Sequence, residues 1–149
     1  MVVVRVFSCL LGLVLVFLAT PVVHALDDSG AKVVISQFLT RQNNNQGTPS
    51  ANRHTIADLN GDGRPDIVLY WDVLGPTSAF PKLTLFLDQG KNYRVLTTDL
   101  WGQIENLTVK GPNIIVDTLA LGPNDARCCP SVKKQLRYRW TGAKLARLQ

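Results

Sequence analysis

A chain of 149 residues, 46% hydrophobic and 18% charged with a formal net charge of +5, is sized for one domain that can bury its own core without covalent staples. Its few histidines and cysteines do not spell a zinc site, and no phosphate-cradling glycine loop or dinucleotide fingerprint is present. The positive balance speaks to partners and not to fold.

Residues 1–25 have the layout of an export signal. Arg5 is the lone charge, Val6 to Ala19 is an almost unbroken apolar run, Pro21 interrupts it, and Val23-His24-Ala25 offers small residues where a signal peptidase cuts. Cleavage after Ala25 is expected, which places the mature protein in the periplasm or outside the cell with no stable membrane insertion. The competing reading is an uncleaved anchor, since Val6 to Val23 approaches the length of a membrane span. Cys9 lies inside the apolar run and not after it, contrary to a lipoprotein signal. The remaining residues 26–149 carry fifteen basic against eleven acidic side chains, a net charge near +4.

Residues 30–41 predict the only helix. Ala31, Val34, Ile35, Phe38 and Leu39 fall at helical spacing, and Asp27, Asp28 and Ser29 offer caps. Such a stripe is expected to bury against a sheet, and Gln42 to Asn52 reads as a polar loop.

The most informative stretch follows, Asp58-Leu59-Asn60-Gly61-Asp62-Gly63-Arg64-Pro65-Asp66. Oxygen-bearing side chains occupy its first, third, fifth and ninth places, with a glycine at the sixth. That is the front of a calcium loop, in which Asp58, Asn60, Asp62 and Asp66 supply side-chain oxygens and Arg64 its carbonyl, the Arg64 side chain pointing outward. The twelfth place of an EF-hand, a bidentate Glu, is here Leu69, and Ile67 to Trp71 reads as strand, so the loop joins two strands. From Ile56 to Val68 the stretch resembles the calcium loop of FG-GAP or VCBS repeats, in a single copy; the resemblance implies Ca2+ as the cofactor. The bland alternative is an Asp/Asn/Gly turn without metal.

Beyond the loop, short apolar runs alternate with turn signals. Strands are predicted near Arg53 to Ala57, Ile67 to Val73, Lys82 to Leu87, Tyr93 to Thr98, Ile104 to Lys110, Ile114 to Leu119, Val132 to Trp140 and Lys144 to Leu148. Leu83, Leu85 and Leu87 would share one face. The expected fold is mainly β, a β-rich α+β domain: a curved antiparallel meander sheet, small sandwich or barrel, with one N-terminal helix.

Cys128 and Cys129 are adjacent, and neighbouring Cα atoms lie about 3.8 Å apart, inside the usual spacing of bridged cysteines. In an oxidising compartment a strained vicinal disulfide is the first reading, buried free thiols the second and an intermolecular bridge the third. The Cys-Cys-Pro-Ser element, with the basic strand and Trp140-Thr141-Gly142 after it, is similar to endings of exported bacterial proteins of the LppP/LprE kind, which implies no defined activity.

In the last long strand Lys133, Gln135, Arg137 and Arg139 alternate with mostly apolar residues, so one face is basic. Seven of the fifteen basic residues of the mature chain follow Asp125, with no acid among them. A solvated face that discourages edge pairing is the plain explanation. A docking strip formed by Lys133, Arg137 and Arg139, for a protein or an anionic envelope polymer, is the functional one; nucleic acid is a poor match for an exported chain. Catalysis would have to use His54, which has no nucleophile signature beside it, or two carboxylates that spacing alone does not single out. The sequence thus points to an exported calcium-binding recognition module, an inhibitor or immunity-type envelope protein being one version. The alternative is a calcium-stabilised hydrolase of envelope polymers.

Overall fold

The computed structural model describes residues 26–43 and 47–148, so the export signal expected at residues 1–25 lies outside the described residues. A single helix among these, α1 (Asp28–Gln42), precedes eight strands: β1 (Thr48–Ala57), β2 (Asp66–Leu74), β3 (Ala79–Asp88), β4 (Tyr93–Asp99), β5 (Gln103–Lys110), β6 (Asn113–Ala120), β7 (Val132–Trp140) and β8 (Leu145–Leu148). The strands form two antiparallel sheets of four, β1-β2-β3-β4 and β5-β6-β7-β8. The fold is therefore mainly β, and of the expected forms it is the sandwich: no closed barrel is present among the described residues, and two sheets stand where a single curved one was an option.

Helix α1 begins where its cap dictates. Asp27 has extended backbone and its Oδ1 accepts the Gly30 amide at 2.8 Å, satisfying a donor that the first turn leaves free. Ala31 and Ile35 are buried, with Val34, Phe38 and Leu39 packed beside them, on the outer face of the first sheet. Phe38 meets Trp71 and Phe86 edge-on, with ring centroids 5.5 and 5.1 Å apart. Trp71 also donates its indole N–H to Thr84 Oγ1 at 2.8 Å. Fully buried aromatic side chains of this size contribute about 3 kcal/mol each, so Trp71→Ala should loosen the helix from the sheet.

Strand β2 is buried on both faces. Ile67, Leu69 and Trp71 face the helix, whereas Val68 and Tyr70 face the second sheet with Leu83, Leu85 and Leu87 of β3. That arrangement accounts for the unbroken run Ile67 to Trp71, because only a strand covered on both sides dispenses with polar alternation. Across the sandwich the same cluster takes in Leu107, Ile114, Val116, Leu136, Tyr138 and Trp140.

The expected loop from Gln42 to Asn52 is shorter than its composition implies, because β1 begins at Thr48. Pro49 and Asn52 are tolerated there since β1 is an edge strand, and a register shift lies between Ala51 and Arg53. The β1 edge comes near the edge of β5, where Arg53 donates to the Asn106 side-chain carbonyl and ties the two sheets at the surface.

Candidate metal centre

The Asp58–Asp66 loop joins β1 to β2 at one end of the sandwich, and Leu59, 1% exposed, anchors it in the core between the sheets. Gly63 has φ 80°, a left-handed conformation that side chains resist, which lets the chain reverse while its amide points inward. Asp58 collects three amides: Oδ1 accepts from Gly61 at 2.7 Å and Asp62 at 3.2 Å, and Oδ2 from Gly63 at 2.9 Å. Asn60 Oδ1 accepts the Asp62 amide at 3.0 Å, and Asp62 Oδ1 accepts the Arg64 amide at 2.9 Å. Donation from the Arg64 amide, together with the Asn60 amide group and the Arg64 charge, holds the Asp62 carboxyl below its usual range.

Asp66 differs from the other loop acids in being completely buried. Its Oδ2 accepts the Leu59 amide at 2.9 Å and its Oδ1 the Asp88 amide at 2.8 Å, so one carboxylate fastens the loop to the turn between β3 and β4. Burial pushes its pKa up, two amide bonds pull it down, and the charges of Asp62 and Asp58 push it up further. The three carboxylates therefore act on one another.

The Arg64 side chain is exposed, as the loop pattern suggests, but it lies back along the loop surface. Its Nη2 donates to Asp62 Oδ2 at 2.6 Å and its Nε to the Asp88 carbonyl at 3.1 Å, placing a guanidinium where the acids would otherwise repel. Among the described residues no three Asp, Glu, His or Cys side chains are gathered as a ready ligand set. In kind, the donors Asp58, Asn60, Asp62, Asp66 and the Arg64 carbonyl fit calcium, a hard cation that takes oxygen, and Asp58 Oδ2 and both Asp66 oxygens keep a second lone pair beyond their single amide bond. Gathering them requires Asp62 to release the Arg64 guanidinium.

A larger concavity than any beside the loop lies elsewhere among the described residues. A cleft of about 1310 Å³ opens at the other end of β2, between the β2–β3 and β4–β5 connections and the β6–β7 loop. Seven strand steps, roughly 23 Å, separate Asp66 from Val73, and the nearer cleft residue Tyr70 lies four steps, roughly 13 Å, from Asp66. Sequence reading missed this cleft, whose signal was Trp101, an aromatic between Leu100 and Gly102 outside any strand period.

Cys128 and Cys129 are both exposed free thiols here, in the β6–β7 loop, so the buried-thiol reading does not describe them and a disulfide remains a matter for oxidation in solution. A hydrogen bond with Cys128 pushes the Cys129 thiol up. On β7 the predicted alternation holds from Gln135 onward, with Leu136, Tyr138 and Trp140 buried and Gln135, Arg137 and Arg139 exposed, whereas Val132 to Lys134 are exposed on both faces. Arg137 Nε donates to Gln135 Oε1 at 2.8 Å, and Gln135 donates to Asp117 Oδ1 at 2.8 Å, so one acid orders part of the basic face. His54 Nε2 lies 2.8 Å from Asp28 Oδ1, an exposed contact that ties β1 to the start of α1. Among the described residues no helix is long and apolar enough to cross a membrane.

No family model, curated protein or solved structure matches this chain. The reading of the site rests on its own chemistry.

Proposed function

We propose that this chain is an exported calcium-binding recognition module, in which the cation braces the Asp58–Asp66 loop and a separate surface meets the partner. The observation that carries this reading is the double engagement of Asp66, which makes the loop a clasp between the β1–β2 and β3–β4 turns. Bound calcium would neutralise the mutual repulsion of three carboxylates on that clasp. The distance from loop to cleft favours a structural role for the cation over a chemical one. The exposed basic face of β7, with Lys133, Arg137 and Arg139, suits an acidic protein or an anionic envelope polymer, and an inhibitor or immunity-type role accommodates either. Thermal melts of the full chain in excess chelator and in millimolar calcium test the first half of the proposal: superimposable curves would reduce the loop to a turn. Affinity capture from an envelope extract, with and without calcium, tests the second.

A further inference from the structure

We propose that the cleft remote from the loop is a binding site for a neutral oligosaccharide, which stacks on Trp101 and Phe80 and is hydrogen-bonded by Asp72, Asp99 and Gln103. The site is independent of the calcium reading.

Exposure of the two rings is the first argument. Trp101 is 72% and Phe80 55% exposed, and both line the same concavity. Large aromatics left in water on one surface signal a partner that covers them. Trp101 is moreover displayed on a fixed backbone. Leu100 before it is buried and its amide donates to the Pro81 carbonyl at 2.8 Å. The Trp101 carbonyl accepts the Thr118 hydroxyl at 3.0 Å. Gly102 after it has φ 88°, and a Cβ there would fall 2.4 Å from the Leu119 carbonyl oxygen, so this position accepts glycine alone. Three consecutive constraints thus fix the backbone from which the indole projects, and little backbone ordering cost remains to be met on binding.

The polar groups of the cleft are equally prepared. Asp72 Oδ2 accepts from Asn52 Nδ2 at 2.6 Å and from the Tyr70 hydroxyl at 3.2 Å, and Asp99 Oδ1 lies 2.5 Å from Lys82 Nζ. Two carboxylates, Asp72 and Asp99, are balanced by Lys82 and Arg127, so the cleft has no net charge with which to select an ion. It offers acceptors and donors together. A sugar hydroxyl donates and accepts at once, and a pyranose ring adds a flat C–H face for an aromatic ring. A lipid chain would meet the rings but would strip water from Asp72 and Asp99 without return. The volume exceeds the roughly 300–1,000 Å³ of a pocket for one compact ligand, which favours several linked sugar units over a monosaccharide.

The test is calorimetric titration, with indole fluorescence in parallel, of the full chain against a panel of neutral α- and β-linked hexose and N-acetylhexosamine oligomers of increasing length. Affinity that rises with chain length, about ten-fold or more lost in Trp101→Ala, a smaller loss in Phe80→Ala and no change in Arg137→Glu/Arg139→Glu would support the proposal. Asp72→Asn, which keeps the shape of the side chain, should weaken binding while the melting curve is retained. No binding by any oligomer at millimolar concentration, binding indifferent to Trp101, or occupation of the cleft by an apolar peptide and by no sugar would each overturn it. Chelator added to the bound complex separates the two sites, since loss of the calcium response leaves the sugar titration standing.

Discussion

The Asp88 amide donates to Asp66 Oδ1 across 22 positions of sequence, and the same carboxylate accepts Leu59 through its other oxygen. Asp66→Ala therefore strands two amides in or near the core. Each unpaired buried donor costs about 1–3 kcal/mol, so the variant should lose on the order of 3 kcal/mol in urea unfolding even in chelator. A loss below about 0.5 kcal/mol would mean that water replaces the carboxylate at both amides.

Calcium should raise stability through the neighbouring acids. With about 1 mM free cation and a dissociation constant near 0.1 mM, at the tight end for extracellular modules, linkage adds about 1.4 kcal/mol, or roughly 3–6 °C in melting temperature. Asp62→Ala should abolish the calcium-dependent shift while leaving a folded protein. Arg64→Ala keeps the backbone carbonyl and frees Asp62 from the guanidinium, so its calcium titration should saturate at lower concentration than that of the unaltered chain. A weaker response in Arg64→Ala would show instead that the guanidinium shapes the loop for the ion.

Reversing Arg137 and Arg139 to Glu acts on an exposed face and should change unfolding free energy by no more than about 0.5 kcal/mol. Retention on a phosphate-bearing polymer resin should drop, and the salt needed for elution with it. Equal retention of variant and unaltered chain would leave that face merely solvated.

Asp125 sets the acid behaviour of the β6–β7 loop. It accepts the Gly122 amide at 2.8 Å, the Ser131 amide at 2.7 Å and the Ser131 hydroxyl, and these bonds, that to Gly122 first, hold its carboxyl below the usual range. A depressed folded pKa means that the contribution is complete above the unfolded value of about 3.9 and is lost as pH falls through the lower folded value. Asp66, raised by burial, changes in the opposite sense, since its folded form binds a proton more readily. The readout must therefore be local: protection of the Gly122 and Ser131 amides, referred to the intrinsic exchange rate at each pH, should fall on acidification before that of the β2 and β3 amides, and Asp125→Asn should remove that pH dependence.

Cys128→Ser/Cys129→Ser should shift unfolding by no more than about 0.5 kcal/mol, because the pair is exposed and a bond between neighbours would constrain almost no loop. Loss of folding in the double variant, or a disulfide-linked dimer of the unaltered chain on a non-reducing gel, would contradict this.

Most strands were legible because their turns were. Asp88 to Asn92, Gly111 to Asn113 and Thr141 to Ala143 separate runs of apolar period, and β7 ends at Trp140, the last of its buried alternate residues. The choice of a sandwich over a barrel was not legible, since no side-chain pattern marks which edges pair. Neither was the start of β1, where edge position excuses Pro49 and Asn52. The loop side chains that cap its own amides, Asp58, Asn60 and Asp62, could be named from spacing alone. The bond from Arg64 to the Asp88 carbonyl could not, because the two residues are 24 positions apart. The cleft escaped for the same reason in stronger form, being assembled from several segments that share no motif.

Both sheets list their strands in the order of synthesis, and that has a kinetic consequence. Every hydrogen-bonded ladder can zip from its own turn, and the entropy of closing such short loops is small and grows only with the logarithm of their length. The one event that must span the chain is the meeting of the two halves, when Leu83 and Leu85 find Val116 and Leu136. A first meander that pairs before the second has formed would display those leucines to solvent. That interval, and not the formation of any single strand, is where this chain is most exposed to aggregation.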